Sequence, residues 1–336
     1  MYILGINSYH PDSSACIIKD GVLISAVEEE RFRRIKHWAG FPTLSISHCL
    51  KEVNIKLSDV KYISINRNSR ANIYRKLLHI IKYRPDLKLI LDRLKRKKKW
   101  HSVTQMLSKE FPDQKFLGKV IQVEHHIAHL SSAFYVSPFK NSCVVSVDGF
   151  GDFASTAWGY ADNNKILLDD KIYFPHSLGA FYESMTQFLG FNKYGDEYKV
   201  MGLAPYGKPS FLDKLRKILI QKENGTYELN LDYYIFHKSY QNYEWENGEV
   251  KSFHLFSKKI NQLLGNPRNK GEDITQFHKD LAYSTQAIYE EAFFNLLNKI
   301  YQKYQNKNIC IAGGCGMNSV ANGKITKFTP FKNIYI

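Results

Sequence analysis

The segment Glu124-His125-His126-Ile127-Ala128-His129-Leu130 places three histidines in five positions, ahead of small and apolar residues. On a helix His125 and His129 stand at i and i+4, so their imidazoles share a face and can reach one divalent cation, whereas His126 points elsewhere. A packed or solvated histidine cluster has the same spacing. Asp148, at the end of the apolar run 143–147, can supply a third donor. Two histidines and one carboxylate suit Fe(II), and also Zn(II) or Mn(II).

Four other segments carry reactive residue types. His10 and Asp12 flank Pro11 in the turn-rich stretch 8–13. Either can act as a general base or touch a substrate, and Asp12 can equally cap the turn's backbone. In Glu28-Glu29-Glu30-Arg31-Phe32-Arg33-Arg34-Ile35-Lys36-His37 an acidic cluster precedes a basic one. Arginine forks there can hold an anion, while a solvated helix start laced with i,i+4 pairs gives the same pattern. Lys199-Val200-Met201-Gly202-Leu203-Ala204-Pro205-Tyr206-Gly207-Lys208 reads as a Gly/Pro-punctuated loop, which approaches a ligand through its backbone or is a plain surface turn. Ala312-Gly313-Gly314-Cys315-Gly316-Met317-Asn318 follows an apolar run and precedes a helical pattern. Glycines there permit close approach to a nucleotide, although the segment matches neither a Walker A nor a GxGxxG motif.

The elements that would position these residues follow from hydrophobic pattern. Residues 2–7, 15–18 and 22–28 read as strands, the last two joined by an Asp20-Gly21 hairpin turn. The plan recurs later, with strands at 143–147, 155–160 and 166–168 and a turn at 148–152. Two strand-hairpin units, each opening on a polar turn, predict an α/β fold with duplicated lobes, as in the actin/sugar-kinase/Hsp70 (ASKHA) class. Helices are expected at 42–53, 100–111 and 273–304, and further strands at 60–65, 119–123, 308–312 and 333–336. The expected division is a first lobe over 1–141, with a basic helical insert at about 67–111, and a second over 142–336.

The chain of 336 residues carries 47 Lys+Arg against 32 Asp+Glu, a formal charge of +15. Thirteen of those cations and only two carboxylates lie between Arg67 and Lys99, a local +11 that leaves +4 for the remainder. Apolar residues at helical spacing, interrupted by Pro85, predict a helical hairpin in this segment. The concentration argues against a nucleic-acid protein at large and for one docking surface. A hydrophobic fraction of 44% excludes a mainly disordered chain, and no apolar run is long enough to span a bilayer. Five cysteines without a CxxC pair, and no visible secretory signal, read as reduced thiols of a cytoplasmic protein.

In their order, the stretches 5–15, 20–37, 125–134, 147–152, 199–208 and 312–324 resemble the N-terminal domain of the NodU/CmcH-type O-carbamoyltransferases, relatives of the tRNA-threonylcarbamoyl transferase TsaD. The resemblance implies the actin-like duplicated fold and Fe(II) or another divalent ion held by His125, His129 and Asp148, with Mg(II) as a further candidate. It implies carbamoyl-adenylate, made from ATP and carbamoyl phosphate, lying against Gly313, Gly314 and Asn318 with Lys199 and Gly202 nearby. The carbamoyl group then passes to a small hydroxylated acceptor, sugar-like or a secondary metabolite, on the side of His10 and Asp12. The family's first turn reads His-Asp directly, whereas Pro11 separates the two here. The family also continues past a strand such as 333–336 into a further metal-binding Asp and a YrdC-like domain. The second lobe is therefore expected to be incomplete, and activity to need that part, a separate YrdC-like subunit or a homodimer. The alternatives are a non-catalytic or split-enzyme subunit that binds a nucleotide and a partner, and, through the basic segment, tRNA modification. A sugar kinase shares the fold but leaves the histidine pair without a role.

Overall fold

The computed structural model of the chain describes residues 1–85, 102–238, 244–246, 249–251 and 253–336. Two compact units emerge, one of Met1–Ser69, Asp86–His125 and Tyr240–Phe253, the other of Arg70–Pro85, His126–Ser239 and His254–Ile336.

In the first unit, strand β1 (Tyr2–Asn7) buries Leu4 and Ile6 while β2 (Ser14–Lys19) buries Ala15 and Ile17, the period-two pattern of a half-buried sheet. The Asp20-Gly21 turn has positive φ at both residues and returns the chain into β3 (Val22–Glu28), as its sequence predicts. Strands β4 (Val60–Ile65) and β5 (Lys119–Gln122) add in parallel, giving the order β3-β2-β1-β4-β5. The helix Thr43–Glu52 lays Ile46, Cys49 and Leu50 on the sheet, and Leu107 of the helix Val103–Glu110 completes the core.

The run 28–37 departs from the solvated-helix reading. Only Glu30–Arg33 is helical, and Glu29 is 0% exposed. Its carboxylate accepts from the backbone N–H of Leu44 (3.2 Å) and Ser45 (2.8 Å), the Ser45 hydroxyl (2.9 Å) and Arg33 Nε (2.8 Å). The helix starting at Thr43 has N–H groups without intrahelical partners, and a buried carboxylate at that end answers both them and the helix dipole.

In the second unit the sheet is built from β6 (Asn141–Gly151), β7 (Ala154–Asp162) and β8 (Lys165–Tyr173). Two small hairpins intervene in sequence, β9 (Leu219–Gln221) with β10 (Tyr227–Leu229) and, in the first unit, β11 (Glu244–Glu246) with β12 (Glu249–Lys251). Strands β13 (Asn308–Ala312) and β14 (Asn333–Tyr335) then pair in parallel beside β6, for the order β8-β7-β6-β13-β14. In each unit two antiparallel neighbours lie on one side of the first strand and two parallel ones on the other. The duplication predicted from the hairpins is thus present in the topology of a mixed α/β protein.

Local differences have physical causes. The turn expected at 148–152 comes later, because β6 continues to Gly151 through an irregular register and reverses at Asp152 and Phe153, both at positive φ. Residues 199–208 are not an open loop. A helix, Glu197–Leu203, holds Lys199 and Gly202 and passes into a 3₁₀ turn, Ala204–Tyr206, whose start tolerates Pro205. The helix Leu178–Phe188 has no counterpart among the sequence expectations. It buries nine of its eleven residues, so it shows no polar-apolar stripe. The long helix runs from Gln276 to Tyr304. Of the basic segment, Ile73–Tyr83 is a helix ending just before Pro85, while residues 86–99, and with them the second arm of the expected hairpin, lie outside the described residues. All five cysteines are free thiols, and among the described residues no helix is long and apolar enough to cross a membrane.

Candidate functional site

The helix His125–Phe134 begins at the first histidine of the cluster, directly after β5 and a short linker. Its small and apolar residues Leu130, Ala133 and Phe134 pack with Val144 of β6 and with Cys310 and Ala312 of β13. This packing fixes the helix's rotation. His126 turns inward, fully buried, with Nδ1 2.8 Å from the Ser146 hydroxyl. His125 and His129 share another face with Asp148, and one ligand atom from each of the three lies within 4.8 Å of the other two.

His129 Nε2 is 3.4 Å from Asp148 Oδ2. Atoms that share a cation at about 2.0–2.2 Å stand roughly 3–3.5 Å apart, so His129 and Asp148 fit a common ion in spacing and all three residues fit it in chemistry. The carboxylate is aimed by its second oxygen, because Gly314 N–H donates to Asp148 Oδ1 at 3.0 Å. The Ser177 hydroxyl donates to the carbonyls of Asp148 (3.2 Å) and Gly149 (2.9 Å), tying the backbone behind it.

Gly313 has φ +90°, and a Cβ there would sit 2.3 Å from the Val147 carbonyl oxygen. Both facts require glycine, and both set the Gly314 amide that orients Asp148. We expect Gly313→Ala to lower stability by about 2 kcal/mol or more and to weaken divalent-ion binding with it. Urea unfolding and a metal titration of the same variant check this. His129, Ser132, Ala312, Gly313, Gly314 and Met317 line a cavity of about 410 Å³ in the second unit. A candidate metal ligand and the candidate nucleotide-contacting glycines therefore share one concavity.

The other expected contacts are placed differently. Asn318 exchanges two amide hydrogen bonds with Gln286 (3.0 and 2.9 Å) and accepts from Ala321 N–H (3.0 Å), capping the short helix Ser319–Asn322. Lys199 pairs with the Asp196 carboxylate at 2.6 Å, and its ammonium lies over the Phe191 ring. Neither Lys199, Gly202 nor Asn318 lines the cavity, and space does not demand a glycine at 202. A contact from the Ser319 hydroxyl to Met201 Sδ (3.7 Å) joins the helix of Lys199 to the one following the glycine loop. Beneath them, burial and then Glu197 push the Glu183 carboxyl up to about 8. Burial also drives the Cys315 thiol well above its ordinary value, with Asp148, Glu197 and Glu183 adding to the effect.

His10 and Asp12 diverge. The His10 ring lies 5.8 Å from that of His125, whereas Asp12 Oδ1 is 2.8 Å from His37 Nδ1. The backbone N–H of His37 donates to Glu30 (2.8 Å), and Asp12, Glu30 and His37 form a second cluster of convergent ligand-type atoms. Tyr9, Asp12, Arg34 and His37 all adopt left-handed backbone, a concentration of strain that accompanies functional loops. Sequence reading places His37 in an anion-binding run. Its pairing with Asp12, 25 residues away, leaves no local signal.

The hydrogen bond that His37 donates to the Asp12 carboxylate raises the His37 pKa above its ordinary value. The pair's contribution to stability is therefore complete below about pH 6.5 and fades as pH rises through the raised folded-state value. The Tm gap between wild type and Asp12→Asn is expected to be widest in mild acid and to close in alkali, as thermal melts across pH will show.

The family model for the carbamoyltransferase N-terminus matches residues 2–336. The uncharacterized protein sll1178 of Synechocystis sp. is 37% identical over 344 residues, covering 100% of this chain and 54% of the relative. Nodulation protein NolNO of Sinorhizobium fredii is 31% identical over 336 residues, covering 98% and 44%. The chain spans about half the length of these curated relatives. Among solved structures, (R)-2-hydroxyglutaryl-CoA dehydratase component A of Acidaminococcus fermentans is similar at 12% identity and a TM-score of 0.43, covering 99% of this chain and 91% of that one. With the family model matched over residues 2–336 and relatives at 37% and 31% identity across nearly the whole chain, the chain belongs to the carbamoyltransferase N-terminal family.

Proposed function

We propose that this chain transfers a carbamoyl group from carbamoyl-adenylate, made from ATP and carbamoyl phosphate, to a hydroxyl of a sugar-like or secondary-metabolite acceptor. The observation that carries this reading is the convergence of His125, His129 and Asp148 beside the Gly313-Gly314 backbone. A divalent cation such as Fe(II), held by those three residues, would polarise the carbamoyl carbonyl and phosphate oxygens.

The chain's own groups do the remaining work. Gly314 N–H keeps Asp148 pointed at the ion position, and the adenylate phosphate is assigned to the cavity that Gly313 and Gly314 line. The acceptor's proton goes to His10 or Asp12, the residues assigned to the acceptor side, with the His10 ring beside that of His125. A bond forms between the acceptor oxygen and the carbamoyl carbon, the carbon–phosphate oxygen bond breaks, and AMP departs with that electron pair.

The test supplies ATP, carbamoyl phosphate, a YrdC-like subunit and a panel of hydroxylated acceptors, and follows AMP release against carbamate-ester formation. His10→Gln and Asp12→Asn test the acceptor side, and loss of the base is expected to lower kcat by about 10²-fold or more. Unchanged rates in both variants would remove this pair from the reaction.

A further inference from the structure

The helix Ile73–Tyr83 is amphipathic, but it docks by the wrong side. At about 100° per residue, Ile73, Tyr74, Leu77, Leu78, Ile80 and Ile81 occupy one arc of roughly 160°. That arc faces away from the protein: Ile81 is 72% exposed, Tyr74 70%, Leu77 55% and Ile73 51%. The packed side is polar and aromatic. His79 is only 7% exposed, with its ring against Phe153, Phe174 and Tyr83, and the Arg75 guanidinium lies 4.5 Å over the Tyr173 ring. Asn72 donates to the Asp152 carbonyl at 2.8 Å and pins the helix start. An ordinary surface helix buries its apolar stripe and shows its polar one. This helix is fastened in the reverse sense.

Charge identifies what the arc faces. Residues 70–85 contain five cations (Arg70, Arg75, Lys76, Lys82 and Arg84) and no carboxylate. The sequence continues with seven more cations before Trp100, against Asp86 and Asp92. A second copy would oppose cations to cations. A nucleic acid would satisfy the charges, yet phosphates and base edges offer nothing to an arc of Ile and Leu. An apolar face flanked by Lys and Arg, with further basic residues adjacent in sequence, matches the two signals that together hold a protein on an anionic bilayer: buried aliphatic area and roughly 1 kcal/mol per nearby cation.

We propose that the helix Ile73–Tyr83 is a peripheral membrane-docking element that lays Ile73, Tyr74, Leu77 and Ile81 into the interface of an anionic phospholipid leaflet. It does not span the bilayer. Its basic residues reach the headgroups while the aliphatic arc enters the acyl boundary.

The test is co-sedimentation of the whole protein with vesicles of phosphatidylcholine alone and of phosphatidylcholine mixed with phosphatidylglycerol. Binding is expected only to the mixed vesicles, and to fall steeply with salt. The double variant Leu77→Gln/Ile81→Gln, altered only at exposed positions, should fold normally by circular dichroism and lose about tenfold or more in vesicle affinity. Equal binding to both lipid compositions, no binding to either, or full binding by the double variant would overturn the proposal. So would affinity for tRNA or polyglutamate that equals affinity for the mixed vesicles and is untouched by the double variant, since charge alone would then explain it. None of these readouts depends on carbamoyl transfer.

Discussion

His129→Ala is expected to reduce carbamoyl transfer by about 10²-fold or more while the protein stays folded. Outer-shell changes at metal sites already cost roughly 10–100-fold, and this change removes a proposed ligand itself. His129 is partly exposed at the rim of the cavity and fills no core, so its truncation should move stability by less than about 1 kcal/mol. His126→Ala is the informative contrast. That ring is fully buried on the Ser146 hydroxyl, although it neighbours His129 on the same helix with 6.1 Å between ring centroids. Its loss opens a cavity and should cost stability without removing a ligand. Steady-state kinetics with parallel unfolding curves separates the two. If His126→Ala and His129→Ala lost activity and stability in the same proportion, the cluster would be structural.

The second large effect concerns Glu29. Glu29→Ala is expected to destabilise the protein by about 3–5 kcal/mol, because a buried charge partner is removed from groups that stay buried. The Leu44 and Ser45 amides, the Ser45 hydroxyl and Arg33 Nε all lose their acceptor at once. The damage reaches the core, since the helix that begins there supplies Ile46, Cys49 and Leu50 to the first sheet. Glu29→Gln keeps an acceptor for the helix amides but presents an N–H₂ or an uncharged oxygen to Arg33, so about half the effect should remain. Urea midpoints at constant m-value measure both. A surface-like change of about 0.5 kcal/mol or less in Glu29→Ala would contradict the anchoring role.

The contrast between Glu29 and His129 shows what sequence carries. The histidine pair was legible because helical periodicity alone puts i and i+4 on one face, and the apolar runs of β1, β6 and β13 state their own strand identity. The acidic-basic run was not, because a buried carboxylate and a solvated one are the same letter. What decides between them is a helix start 16 residues further on. The Asp12–His37 pair lies beyond local pattern for the same reason. Leu178–Phe188 escaped notice because burial on all sides erases the amphipathic signal, and Gly202 and Pro205 suggested a loop where the helix simply ends before the proline. Asn318 was read as a ligand contact, yet its amide is engaged by Gln286 and a helix cap. Resemblance identifies which residue types recur, whereas the hydrogen bonds show what each is already committed to.

His125, His129 and Asp148 are proposed to form one divalent-ion site. Titration of the protein with Co(II), followed by its visible absorption and by calorimetry, measures this without any substrate. Saturation is expected at one ion per chain, with His125→Ala, His129→Ala and Asp148→Ala each abolishing the absorption band and weakening binding by about 10²-fold or more. An unchanged band and stoichiometry in all three variants would place the ion elsewhere and rule this site out.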